Sequence, residues 1–192
     1  MDDTMWIEDL IPLLNFQKKA GFYSDDEILE NALEFIDDFY RGIKVTPEWI
    51  LEKIHSIDLK IEKNTEQINF KRLDKAFQNL NEQKIVTLHN SGYTISDGFE
   101  DTNEIAQYLL QKGITPIGCC FYIEQDLQHL LDGDTNKLLL SFGNYAEEIS
   151  AIEIGEKIVS ALEKEGFQIQ WNHSEDRKIA ILNMTWDKIY MG

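Results

Sequence analysis

The segment TLHNSGYTISDG, residues 87–98, joins a short apolar run to the start of an amphipathic helix. Residues 85–88 are apolar and partly β-branched, which favours a buried strand. Asp97 lies three residues before Glu100, a capping-box spacing, and the apolar pattern over residues 98–112 predicts a helix that stops at Gly113. A strand that leads through a polar loop into a helix predicts that this part of the chain forms a sheet with packed helices.

After this segment, predicted strands and helices continue to alternate towards the C-terminus. Apolar runs predict strands over 117–123, 137–142, 167–171 and 178–184, and helical periodicity predicts helices over 125–131 and 146–165. The polar turn over 172–176 predicts that the last two strands form a hairpin. The order β-α-β-α-β-α-β-β indicates a mixed sheet with its helices mainly on one face.

The residues before this sheet carry only helical patterns. Helices are predicted over 4–20, 25–41, 46–63 and 65–83, with Ser24 and Glu27 spaced as a capping box and Thr46 followed by Pro47 at a helix start. We therefore expect an α+β fold, in which a helical region, 1–83, packs on a mixed α/β sheet domain, 84–192. No low-complexity linker separates the two parts, so we expect them to unfold as one cooperative unit.

The charge balance is strongly acidic: 35 Asp and Glu residues against 18 Lys and Arg residues give a net charge of -17. An acidic surface repels phosphates, which disfavours binding to nucleic acid or to an anionic membrane. It serves solubility, or it forms an acidic face for a basic protein partner. No apolar run is long enough to span a bilayer, and the first four residues, MDDT, lack the basic region of a secretory signal, so we expect a cytoplasmic protein.

The loop of the central segment is the best candidate for a ligand site, because helix N-termini after a strand direct backbone N–H groups outward. The candidate ligand contacts are Asn90, Ser91, Tyr93, Thr94, Ser96 and Asp97. A structural interpretation competes with this one. In that interpretation Gly92 and Gly98 permit backbone angles closed to other residues, Ser96 or Asp97 caps the helix, and Tyr93 is a packing residue.

A nucleophilic site is the candidate for catalysis, with Cys120 as nucleophile, His89 as base and Asp97 orienting the imidazole. Cys120 lies within the apolar run 117–123, and a cysteine in such a run is typically a small core residue with an inert thiol. No spacing of His and Cys residues matches a metal site, and no glycine-rich phosphate motif is present, so neither a metal nor a cofactor is expected.

Several motifs resemble those of an uncharacterised bacterial family, a domain of unknown function whose members read roughly ALHNAGYTxSDG at residues 87–98. The resemblance continues in GFYSDDEI at 21–28, RLDKAF at 72–77, CFY at 120–122, QDL at 125–127, SFG at 141–143, EIG at 153–155 and Trp171. It implies a bacterial source and membership of that family. It implies no reaction, because the family has no established one.

Two hypotheses about function follow. The first is a non-enzymatic protein that binds a basic partner, as small regulators and toxin-neutralising proteins do. The second is a small-molecule-binding protein or a hydrolase-like enzyme with its site in the loop from His89 to Gly98. The first is favoured, because the charge supports it and the sequence carries no matching catalytic motif.

Overall fold

The computed structural model describes residues 4–59 and 66–191 and shows an α+β fold, as expected. The chain divides into two compact units. The first combines Met1–Gln67 with Asp187–Gly192, and the second is the continuous stretch Ile68–Trp186.

The described part of the first unit contains three helices, α1 (Met5–Ala20), α2 (Asp25–Phe39) and α3 (Pro47–Ser56). The predicted start signals are present: Ser24 and Glu27 form both bonds of a capping box, and the Thr46 hydroxyl accepts a hydrogen bond from the backbone N–H of Trp49. The apolar faces of the three helices meet in one core of buried residues, namely Leu10, Leu14, Ile28, Ala32, Ile36, Ile50 and Ile54.

The end of the third helix was predicted too late. Helix α3 stops at Ser56, and Ile57 is already extended, with φ -72° and ψ 119°. The predicted continuation over residues 60–63 and the predicted start of the next helix at Thr65 lie outside the described residues. The prediction followed the helical spacing of isoleucines in the sequence, and that spacing extends beyond the residue at which the helix ends.

The last residues of the chain belong to the first unit. The carbonyl oxygen of Lys188 lies 2.6 Å from the position that a Cβ atom on Gly21 would occupy. The Lys188 ammonium lies 4.8 Å from the ring centre of Phe22. The backbone N–H of Ile189 donates to Oε1 of Gln67 at 3.2 Å. The first unit is thus built from two chain segments that flank the second unit in sequence.

The second unit contains the predicted order β-α-β-α-β-α-β-β, preceded by one helix. Its sheet has the strand order β1-β2-β3-β5-β4. Strands β1 and β2 are parallel and the other neighbours are antiparallel, which confirms the mixed sheet and the final hairpin. The elements are α4 (Ile68–Glu82), β1 (Ile85–Leu88), α5 (Ile95–Gln111), β2 (Gly118–Phe121), α6 (Glu124–Asp132), β3 (Leu138–Asn144), α7 (Ala151–Lys164), β4 (Gln168–Gln170) and β5 (Ile179–Leu182).

Helices cover both faces of the sheet, so the prediction of mainly one face is wrong. Ala106 of α5 packs with Cys119 and Phe121 of β2, whereas Ile154 of α7 lies against Gly118 on the opposite face. Successive side chains of a strand point to opposite faces, and all four residues of β2 are buried. A strand buried on both sides needs a layer of helices on each side.

The observed division of the chain differs from the predicted division after residue 83. Helix α4 groups with the sheet, because it packs on β1 and on α7. The expectation that the two parts unfold as one cooperative unit stays a prediction.

Candidate functional site

The central segment leaves β1, turns, and enters α5. Asn90 and Gly92 take left-handed backbone angles, with φ 52° and 64°. The backbone N–H of Ser91 donates to the carbonyl of Tyr122 at 2.9 Å, and the carbonyl of Gly92 accepts from the N–H of Glu124 at 3.0 Å. These bonds tie the loop to the residue after β2 and to the first residue of α6.

The helix cap differs from the predicted one. Helix α5 begins at Ile95, with Thr94 as its N-cap, and not at Gly98. The backbone N–H of Thr94 donates to Oδ2 of Asp97 at 2.8 Å, and the N–H of Asp97 donates to the Thr94 hydroxyl at 3.3 Å. The hydrogen bonds from Thr94 lower the pKa of the Asp97 carboxyl. Asp97 is thus the third helical residue of a capping box.

Close contacts explain why both Gly92 and Gly98 are glycines. A Cβ on Gly92 would lie 2.4 Å from Cβ of Asp97, and one on Gly98 would lie 2.2 Å from the ring of Phe121. Gly98 is helical, so the close approach of Phe121, and not an unusual backbone angle, requires a glycine there.

The imidazole of His89 is held between a carboxylate and a phenol. Its Nδ1 lies 3.1 Å from Oη of Tyr122, and its Nε2 lies 3.3 Å from Oδ1 of Asp74. The ring stacks on Phe77, with centres 4.5 Å apart and planes 16° apart, and its side chain is 19% exposed. The hydrogen bonds and ring contacts hold the imidazole in one orientation.

Tyr122 is the buried end of this arrangement. Its side chain is fully buried, and burial, assisted by the nearby charge of Asp74, raises the pKa of its phenol well above the ordinary value. Trp186 contacts it edge-on at 6.0 Å between ring centres. The phenol therefore serves as a neutral hydrogen-bonding group.

Sequence reasoning did not assign Asp74 and Tyr122 to a site with His89. The sequence nevertheless contained a signal. The resemblance to the family covers RLDKAF at 72–77, TLHN at 87–90 and CFY at 120–122. These three motifs meet at His89, since they supply Asp74 and Phe77, the histidine itself, and Tyr122.

The predicted nucleophile Cys120 is fully buried in β2. Burial, with the neighbouring Cys119 as a smaller cause, raises the pKa of its thiol well above the ordinary value. Asp97 bonds to Thr94, and the ring nitrogens of His89 face Asp74 and Tyr122. These contacts argue against a Cys120, His89 and Asp97 arrangement as a catalytic site.

The other predicted ligand contacts lie in different environments. Ser91 is buried, and its hydroxyl donates to Oδ2 of Asp101 at 2.9 Å. Tyr93 is 56% exposed and Ser96 is also exposed. The side chain of Asn90 bonds to Glu124, whose pKa is raised by burial and lowered to a smaller extent by this bond. A ligand role for these residues stays a prediction.

A groove runs along the outer edge of β1, and we call it the α5–β1 groove. It has a volume of about 320 Å³. The backbone N–H of Thr87, on that edge, donates to Oδ1 of Asn81 at 3.0 Å. Tyr108 and Leu110 of α5 are exposed nearby in sequence. The groove is lined by Asn81, Lys84, Ile85, Val86, Thr87, Ile105, Leu109, Ile114 and Pro116.

No helix among the described residues has the length and apolarity needed to cross a membrane. Within residues 4–59 and 66–191, no three His, Cys, Asp or Glu side chains are grouped so that they could hold a metal ion.

Comparison with known proteins gives a family without a known activity. Neither a curated protein nor a solved structure matches the chain. A family model described as a domain of unknown function, DUF6891, matches residues 8–190, in agreement with the resemblance to an uncharacterised domain family. The chain belongs to the DUF6891 family.

Proposed function

We propose that this protein is a non-enzymatic binding protein that holds a basic, extended segment of a protein partner in the α5–β1 groove. The observation that carries the proposal is an apolar groove at a sheet edge on a chain of net charge -17. Ile105 and Ile114 line the groove and are both exposed large apolar side chains, of the kind that partner surfaces cover.

The edge of β1 offers backbone groups to an extended chain. The carbonyl of Lys84 accepts from the N–H of Ile117 next to β2, so alternation turns the backbone of Ile85 and Thr87 away from β2. The outward N–H of Thr87 is satisfied by the Asn81 side chain. A partner strand could displace that side chain and pair with β1, which is the mode called β-augmentation.

The charge selects the partner. A net charge of -17 accelerates the approach of a basic segment and repels an acidic one. The residues of α5 before Ile105 include Glu100, Asp101 and Glu104, so the helix that walls the groove is itself acidic. Among the described residues that line the groove, Lys84 is the one basic residue.

The enzyme hypothesis has less support. Cys120 is buried, Asp97 is bonded within a helix cap, and both nitrogens of His89 have protein partners. A cytoplasmic regulator of the toxin-neutralising kind, which masks a basic surface of its target, is the form of the binding hypothesis that fits the acidity.

Selection from a displayed library of random peptides tests the proposal with defined probes. We expect the selected peptides to carry net positive charge and alternating apolar residues. Their affinity, measured by fluorescence anisotropy, should fall steeply as salt rises from roughly 0.05 to 0.5 M, because the Debye length shortens to a few ångströms. Selected peptides that are acidic, or whose affinity does not change with salt, would overturn the proposal.

Matched substitutions locate the binding surface. Ile105→Glu in the groove should weaken peptide binding at least about tenfold, or ~1.4 kcal/mol. Ile152→Glu on α7 is the control, because Ile152 is 38% exposed and Ile105 is 37% exposed. Lys84→Glu should strengthen the binding of a basic peptide. Equal losses from the Ile105 and Ile152 variants would place the peptide elsewhere and contradict the groove.

A further inference from the structure

The α5–β1 groove has two different ends, because the helices on both sides of it run opposite to β1. Helix α4 ends at Glu82, just before β1 begins, and its earlier residue Asp74 contacts His89, just after β1 ends. Helix α5 starts beyond the end of β1, and the chain after it returns to the beginning of β1, where Ile114 and Lys84 line the same groove. One end of the groove therefore lies where β1 begins, and the other lies where β1 ends.

Carboxylates flank the groove where β1 ends. Asp74 lies two helical turns before Asn81, so it is on the same line of α4 as this groove residue. Its side chain is 42% exposed. On the other wall, Asp101 lies one turn before the groove residue Ile105 of α5, and its Oδ2 accepts from the Ser91 hydroxyl at 2.9 Å. Both helices thus place a carboxylate at this end.

Lysines flank the groove where β1 begins. Lys84 lines the groove directly before β1 and is exposed. Lys112, which is also exposed, lies two turns after Ile105 and so continues the same line of α5. Its Nζ lies 5.3 Å from the centre of the Tyr108 ring, within the range of a cation–π contact. The charge beside the groove therefore changes sign from one end to the other.

An extended segment in the groove meets these charges one after the other. Its apolar residues contact Ile105 and Leu109 in the middle of the groove. A basic residue is attracted at the end of β1 and repelled by Lys84 and Lys112 at its beginning. The net charge of -17 makes no such distinction, because it attracts a basic residue at any position of the segment.

We propose that the α5–β1 groove selects the order of charges in its partner, an inference that rests on its proposed role as a peptide-binding surface. The preferred segment carries its basic residues on one side of its apolar residues, and uncharged or acidic residues on the other side. The basic side lies at the end of β1, beside Asp74 and Asp101, and the other side lies beside Lys84 and Lys112.

Three peptides of identical composition test the charge order. Each contains alternating apolar residues, with its lysines before them, after them or divided between both sides, and blocked termini remove the terminal charges. A segment can pair with β1 in either direction, so one of the two peptides with grouped lysines should bind about three- to fivefold more tightly than the divided peptide at low salt. Fluorescence anisotropy with the full-length protein measures this preference, which should disappear at roughly 0.5 M salt.

A matched pair of charge reversals locates the effect. Lys112→Glu removes a positive charge from the beginning of β1, so it should strengthen binding of the divided peptide and abolish most of the preference for grouped lysines. Lys164→Glu on α7 makes the same change in net charge at an exposed position that does not line the groove. This control should leave the preference unchanged.

The outcomes distinguish this inference from the proposed function. Equal binding of the three peptides, weakened in each case by Ile105→Glu, would overturn the charge order and leave the groove as the binding surface. Equal effects of Lys112→Glu and Lys164→Glu would also overturn it, because net charge would then explain the preference. If Ile105→Glu weakens the binding of none of the peptides, the groove is not the binding surface and both proposals fail.

Discussion

The phenolic oxygen of Tyr122 lies 3.1 Å from Nδ1 of His89, and the opposite nitrogen of that ring lies 3.3 Å from Oδ1 of Asp74. Asp74 comes from α4 and Tyr122 follows β2, so the bonds join a helix to the sheet through one imidazole. The aromatic rings of Phe77 and Trp186 pack around these groups. We interpret the network as a structural connection within the second unit.

Removal of the phenolic hydroxyl tests this interpretation. Tyr122→Phe should lower the free energy of unfolding by about 1 kcal/mol or somewhat more, because the substitution removes a buried hydrogen bond and leaves His89 Nδ1 without that partner. Urea unfolding measures the effect. Tyr93→Phe is the control, since Tyr93 is 56% exposed, and it should change stability little. A loss of the same size in both variants would contradict a special role for Tyr122.

Gly98 should be intolerant of a side chain. Gly98→Ala places a methyl group 2.2 Å from the Phe121 ring, and overpacking of this kind costs roughly 1 to 3 kcal/mol. Phe121→Leu alone is also destabilising, but the double variant should be more stable than the sum of the two single losses predicts. Additive losses, measured by the same unfolding experiment, would show that the ring is not what excludes the methyl group.

The cap of α5 should contribute stability that depends on pH. The folded pKa of Asp97 is lowered, so its contribution is fully present above the unfolded pKa and is lost as the pH falls through the folded pKa. The stability difference between the wild type and Asp97→Asn should therefore shrink as the pH falls below about 4. Asp176→Asn serves as an exposed control. A difference that stays constant down to the acid limit would contradict the cap geometry.

Thr94→Ala tests the other half of the cap. The loss of the N-cap hydroxyl should cost about 1 kcal/mol of stability, with faster amide exchange in the first turn of α5. Ser96→Ala is the matched control, because Ser96 is an exposed hydroxyl residue two positions further on. A larger loss of stability from Ser96→Ala than from Thr94→Ala would contradict Thr94 as the N-cap and would support the cap position predicted from the sequence.

The thiols should be inert in the folded protein. Cys119 and Cys120 are buried, and burial raises the pKa of each. A thiol reagent such as an aromatic disulfide should react with neither at neutral pH until denaturant unfolds the chain. The two thiols should then react together. Rapid reaction of Cys120 in the native state would restore it as a candidate nucleophile.

The local start signals could be read from the sequence. The capping box of Ser24 and Glu27, the cap at Thr46 and the order of elements after residue 84 were predicted, because each depends on residues a few positions apart. The α5 cap was misplaced for the same reason. Asp97 fits two capping-box spacings, one with Thr94 three positions before it and one with Glu100 three positions after it. The backbone conformation decides which of the two forms, and the structure has the box of Thr94 and Asp97.

The sequence by itself determined the element types, the mixed sheet and the acidity, since local periodicity and composition specify these, and its motifs indicated the family through their resemblance. Only the tertiary structure decided that His89 binds Asp74 and Tyr122 and that Asp97 does not orient it. It also decided that the buried Ser141 hydroxyl has no hydrogen-bond partner among the described residues. These relationships join residues far apart in the chain, and their geometry depends on which faces of the sheet the helices cover, which no local pattern encodes.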